Sequence, residues 1–187
     1  MRHPKWIDAG LVSLLALACG EPTAPVPAVG GSEATEPSEH RGRIVELVTG
    51  GGQFVHPDFG ANTFAFVAVR HRDGRVSGKF FQHQPAFGFT YAGDVTCFAV
   101  DRVNHRAWIG GVLTHSNDPD PITEVGDDAW FRVLDLGHGE AGPDRSTFLG
   151  FEGGGGIITS EEYCRVKIWP DGNARTWPVE RGNILIH

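Results

Sequence analysis

Histidine, carboxylate, cysteine and tryptophan side chains are the groups in this chain able to do chemistry, and their spacing limits what that chemistry could be. Nine histidines invite a metal reading, but no His-Glu-x-x-His, His-x-His or paired Cys-x-x-Cys occurs, so the spacings that preorganise a transition-metal site are missing. The hairpin register expected below puts His71 and His83 on opposite faces, which denies them a shared ion. The run Ser116-Asn117-Asp118-Pro119-Asp120-Pro121, followed by Asp127-Asp128, gathers oxygens of the kind hard cations take. It lacks the EF-hand spacing and is stiffened by two prolines, so it reads first as a solvated acidic loop. His138, Glu140 and Asp144 fall in one loop, beside Asp94 and Asp135 at expected strand ends. They would make an acid–base cluster if one barrel mouth collected them. The glycine run 153–156 has no Lys-Ser/Thr after it, and Gly-x-Ser-x-Gly is absent, so neither a phosphate cradle nor a nucleophile elbow is present. Trp108 and Trp130 read as core aromatics, with a ligand-lining role as the alternative. No catalytic, cofactor-binding or metal residue is assigned, and no cofactor is expected.

Three cysteines remain to be placed. Arg2 and Lys5 give a short basic start, and Ala9 to Ala18 is an apolar run. It is too short for a spanning helix, which needs roughly 20 apolar residues, and it has the length of a signal-peptide core. Its end, Ala16-Leu17-Ala18-Cys19-Gly20, resembles a bacterial lipobox. By that resemblance residues 1–18 are a signal peptide, Cys19 is the lipidated first residue of the mature chain, and the protein is exported and lipid-anchored to a membrane of the cell envelope. Several acyl chains hold a terminus far more firmly than one. Residues 19–41 are rich in Pro, Ala, Ser, Thr and Glu and read as a disordered tether without a core. Cys97 and Cys164 are left as a pair in an oxidising compartment. They read either as a disulfide, which would close a long loop, or as two buried thiols.

The elements that must position these groups begin at residue 42. Short β-branched and aromatic runs alternate with Gly, Asp, Asn and Pro, the pattern of strands joined by turns. Candidate strands are 43–48, 52–56, 63–71, 75–83, 88–92, 94–101, 106–114, 128–135, 146–151, 163–169 and 182–187, with no helical period. A two-residue Asp73-Gly74 loop would pair Val69 with Gly78, Val67 with Phe80 and Phe66 with Phe81. Val67, Val69, Val76 and Phe80 would then share one apolar face. A second hairpin joins 94–101 to 106–114 through Arg102-Val103-Asn104-His105, with Val95, Cys97 and Ala99 on one face and Gly110-Gly111 marking a bulge or bend. The class expected is all-β: an antiparallel meander over 42–187 curled into a closed or nearly closed barrel, the alternative being a β-sandwich.

Several segments of this region resemble exported bacterial domains of the post-COAP-1 type. They are Gly50-Gly51-Gly52-Gln53-Phe54, Asn62-Thr63-Phe64-Ala65-Phe66, Gly93 to Val100, Arg106-Ala107-Trp108-Ile109-Gly110-Gly111, Asp128 to Asp135, Gly137 to Glu140, Pro143-Asp144-Arg145 and Gly182 to His187. The chain departs from that pattern at Asp135-Leu136-Gly137, where Asp-Asn-Gly is expected. The resemblance implies an all-β fold over residues 43–187 and brings no activity or cofactor with it.

A formal charge of −7 speaks against nucleic acid, which needs clustered Lys and Arg. The partners expected are a membrane, through the N-terminal lipid, and a small apolar ligand or an envelope protein. The role expected is a non-catalytic binding or surface-scaffold module. The alternative is a barrel-type isomerase, cyclase or hydrolase acting on a small molecule in the barrel cavity.

Overall fold

A computed structural model describes residues 43–137, 142–151 and 156–187. The signal-peptide and tether readings, with Cys19, lie outside the described residues, as do His138, Glu140 and Gly153 to Gly155.

The described chain forms an antiparallel meander of β1 (Ile44–His56), β2 (Gly60–His71), β3 (Val76–Gln84), β4 (Phe89–Asp101), β5 (Arg106–Ser116) and β6 (Asp128–Leu134). Two short strands, β7 (Arg145–Ser146) and β8 (Gly150–Phe151), a helix α1 (Ser160–Val166) and the long β9 (Trp177–Ile186) complete it. Each strand from β1 to β6 pairs with the next, and β9 returns to β1, so the strands ring round nearly as a barrel. The remaining gap, between β6 and β9, is bridged by β7, which pairs with both. Beyond β7 two carboxylates close the seam. The backbone N–H of Ile184 donates to Asp144 Oδ2 at 2.7 Å, and that of Ile186 to Asp135 Oδ2 at 2.9 Å. A carboxylate accepting a strand's amide replaces a missing ladder bond.

Alternation along the strands fills the inside. Val48, Phe54, Phe64, Phe66, Phe80, Tyr91, Val95, Phe98, Ile109, Phe131, Val133 and Ile184 make one continuous buried cluster. The sequence reading split β1 at its glycines, but Gly50 to Gly52 run straight through the strand. Gly50 is paired on both sides, and a side chain there would strike the Phe66 ring. Gly93 likewise leaves space for Phe80. Small residues opposite large ones let a closed barrel pack at interior density.

The first hairpin is offset by one residue from the register expected of a two-residue loop. Phe66 faces Phe80, Val67 faces Lys79 and Val69 faces Ser77. The loop has three residues, Arg72-Asp73-Gly74, closed by hydrogen bonds from Gly74 N–H to the His71 carbonyl and from His71 N–H to the Arg75 carbonyl, both 2.9 Å. Gly74 takes φ +84°, the left-handed residue of a turn followed by a bulge. One residue of slip exchanges the faces: Phe64 and Phe66 join Phe80 inside, while Phe81 is exposed. His71 and His83 consequently share the outer face but lie about 26 Å apart at the rise of a strand.

The second hairpin turns at Arg102–His105 as expected, and it carries a bulge between Val95 and Cys97, opposite Gly110-Gly111. The extra residue turns Cys97 away from the face of Val95, so that Val95 and Phe98 point inward while Cys97 faces outward. Residues 163–169, expected as a strand, begin in α1 instead. Thr159 caps it by accepting from Glu162 N–H at 3.2 Å, and Lys167 ends it at φ 54°. A disulfide joins Cys97 on β4 to Cys164 on α1, with Cα atoms 6.2 Å apart and a separation of 67 positions in sequence.

Candidate functional site

Inside the barrel, a cavity of about 10 Å3 lies between Phe64, Phe66, Phe80 and Phe131, room for no more than about one water. Gln82 crosses the inside as a tie, accepting from Leu149 N–H at 3.1 Å.

Of the carboxylates in the candidate acid–base cluster, Asp135 and Asp144 lie together and are engaged by backbone amides, and Asp94 lies on another strand. Asp144 and Asp135 hold the seam, and Asp94 pairs with Lys79 on β3. In the acidic loop, Asp118 Oδ1 accepts from Asp120 N–H, Asp120 from Ile122 N–H and Asp127 from Glu124 N–H, so these oxygens stabilise the loop's own turns. Asp118 Oδ2 also accepts from Tyr91 Oη at 2.5 Å, and burial together with this bond pushes the Tyr91 phenol above its ordinary range. Among the described residues no three His, Cys, Asp or Glu converge as metal ligands.

Chemistry collects instead on the outside of β4, β5 and β6. Residues whose neighbours point inward as Ala107, Ile109, Ala129, Phe131 and Val133 point outward as Trp108, Trp130 and Arg132. Trp108 and Arg132 face each other directly across the β5–β6 ladder. The disulfide draws α1 onto this face, and the segment 167–176 runs over it as a strap. Trp108, Trp130, Ile157 and Tyr163 are buried beneath, with Trp169 packed against them. The indole N–H of Trp108 donates to the Ile168 carbonyl at 2.9 Å, and that of Trp169 to Asn173 Oδ1 at 2.9 Å, so both tryptophans are anchored by their polar ends.

A cleft of about 370 Å3 opens where the strap meets the barrel wall. Trp130, Tyr163, Phe148 and Trp177 wall it, and Arg132 and Arg175 supply its charge. Trp130 and Tyr163 stack 5.7 Å apart and 23° from parallel. Arg132 is only 8% exposed. Its Nη2 donates to the Ala174 carbonyl at 3.0 Å, while its Nε has no partner among the described residues. Two guanidinium groups lie over the ring of Trp169, Arg106 at 4.7 Å and Arg132 at 5.4 Å from its centroid. Such cation–π contacts offset part of the cost of burying charge. Burial pushes the Tyr163 phenol up to about 12, against the opposing pull of Arg132. Beyond Trp169, a more open hollow carries Arg102, Arg106, Lys167 and Asp101.

Trp108 and Trp130, singled out by type in the sequence, are both here; Arg106, Arg132, Trp169 and Arg175 were not. A signal existed in the reciprocal spacing Arg106-x-Trp108 and Trp130-x-Arg132, which puts each pair on one face of its strand. No protein-family model, curated protein or solved structure matches this chain.

Proposed function

We propose that this protein is an exported lipoprotein, held to an envelope membrane by lipid on Cys19, whose β-domain is a non-catalytic binding module. The signal peptide (1–18) directs export, and the Pro-rich tether (19–41) lifts the domain from the bilayer. The resemblance to domains of the post-COAP-1 type fits the same placement. Ligand binding occurs outside the barrel, in the cleft under the strap.

One contrast supports this reading: a filled interior beside an aromatic-walled exterior cleft of about 370 Å3. The cleft has the size and the mixture of apolar walls with a few polar groups that small-molecule sites show. A reaction inside the barrel would need space that the phenylalanines occupy. Among the described residues lining the cleft there is no nucleophile with a neighbouring base, which favours binding over catalysis.

Two measurements test the two halves. Labelled palmitate should enter the wild-type chain in a bacterial host and not Cys19→Ala; equal labelling would remove the anchor. A ligand screen read by tryptophan fluorescence should yield compounds whose signal vanishes in Trp130→Leu. Compounds that bind equally well without Trp130 would move the site elsewhere.

A further inference from the structure

We propose that the cleft selects a small carboxylate with a flat apolar body, the carboxylate meeting Arg132 and Arg175 and the body lying among Trp130, Tyr163, Phe148 and Trp177. The inference rests on the binding reading above and names its ligand class.

The charge pattern is the first argument. Among the described residues no Asp or Glu lines the cleft, though two arginines do, in a chain whose formal charge is −7. Among the described residues neither Arg132 nor Arg175 forms an ion pair, whereas Arg70, Arg75, Arg102 and Arg165 all do. A guanidinium does not lose its proton in a protein, so Arg132 stays charged while nine-tenths buried, and a buried charge without a counter-charge is costly. One donor of that group is satisfied by Ala174, and Nε has no partner among the described residues. Tyr163, the ionisable neighbour, keeps its proton through the physiological range and cannot supply the missing negative charge. An anion entering the cleft would.

Backbone conformation is the second. Arg175 sits at φ 59°, a left-handed geometry that Gly adopts freely and a side chain with a Cβ does not. Together with Lys167 and Asn173 it gives the strap three of the four non-glycine left-handed residues in the described chain. Unfavourable backbone geometry persists where a side chain is needed at that place. The side chain held here is the cleft's second cation.

The shape of the anion follows from the walls. Trp130 and Tyr163 present nearly parallel rings, and Phe148 meets Trp177 edge to face at 5.4 Å, surfaces suited to a ring system. A planar guanidinium matches the two oxygens of a carboxylate. A phosphate dianion carries more charge and is more strongly solvated, so taking it out of water costs more.

The test uses calorimetric titration of the full chain with naphthoate, its neutral isostere naphthamide, and naphthyl phosphate. Naphthoate should bind roughly tenfold or more tightly than naphthamide, the usual size of one charge-assisted hydrogen bond. Arg175→Gly should erase most of that preference while melting no lower than wild type, because glycine relieves the backbone. Equal binding of acid and amide would overturn the carboxylate assignment and leave the binding reading standing. Preference for the phosphate would overturn it in favour of phosphate esters. Failure of all three to bind would overturn both. An unchanged acid preference in Arg175→Gly would remove Arg175 from the site.

Discussion

Two aromatic assemblies share the wall made by β5 and β6. Inside, Phe64, Phe66, Phe80 and Phe131 meet with almost no space between them. Outside, Trp108, Trp130, Tyr163 and Trp169 pack around arginines and leave a cleft. The inner rings carry no polar atoms and are closed off from solvent, so dispersion and burial are all they offer. Of the outer rings, Trp108 and Trp169 have polar ends tied to backbone or to Asn173, and among the described residues Arg132 beside them forms no ion pair. The same residue class therefore builds a core on one face of a strand and a recognition surface on the other. What separates the two is the presence of charge and of unfilled volume.

If that division is right, truncation on the two faces should have different consequences. Phe131 is 5% exposed and packs against Phe66 at 5.1 Å and Phe80 at 6.1 Å. Phe131→Ala should cost about 3–5 kcal/mol in urea unfolding, the usual penalty for an interior ring that leaves a cavity. Trp169→Ala on the half-buried strap should cost only about 1–2 kcal/mol, on the area it buries, while weakening ligand binding. Equal losses would make the outer layer a second core and deprive the cleft of special standing.

The disulfide sharpens the comparison, because it ties the outer layer to the barrel. Cys97 reaches α1 only because the bulge turns it outward. Replacing both cysteines by Ala should lower stability by roughly 4 kcal/mol on the loop-entropy model. Hydrogen exchange should then accelerate first in α1 and the strap, with β1 to β3 retaining protection. A uniform increase over all strands would mean that the two layers unfold as one unit.

Much of the inner assembly was legible in the sequence. Two-residue alternation and turn residues located most strands and the ring they form, because each strand must bury one face. The register of the first hairpin was not, since Asp73-Gly74 serves equally a two-residue loop and a three-residue one, and Gly74 takes the left-handed position of the second. Helix α1 escaped because seven residues are too few to show a period. Its start was nonetheless written in Thr159-x-x-Glu162, a capping pattern. The cleft was the least legible part. Arg132, Trp169 and Arg175 meet only because the strap returns over strands that precede it, and nothing local in the sequence specifies that return.

An effect confined to high pH concerns Tyr163, which belongs to the outer layer yet is buried like the inner one. Its phenol is held up to about 12, chiefly by burial, against an ordinary value near 10. Below pH 10 both folded and unfolded chains keep the proton, and Tyr163 adds no pH dependence. Between about 10 and 12 the unfolded chain releases it and the folded chain does not, so stability falls as pH rises through that window. The loss from this group is at most about 2–3 kcal/mol. Tyr91, also raised by burial, falls in the same direction, so the measurement must be a difference: wild type against Tyr163→Phe, by chemical denaturation from pH 9 to 12. The variant's stability should decline less steeply above pH 10. Identical slopes would mean that Tyr163 ionises in place, its phenolate paired with Arg132. The guanidinium would then have an internal counter-charge at high pH, and the preference for an added carboxylate should fade over that same range.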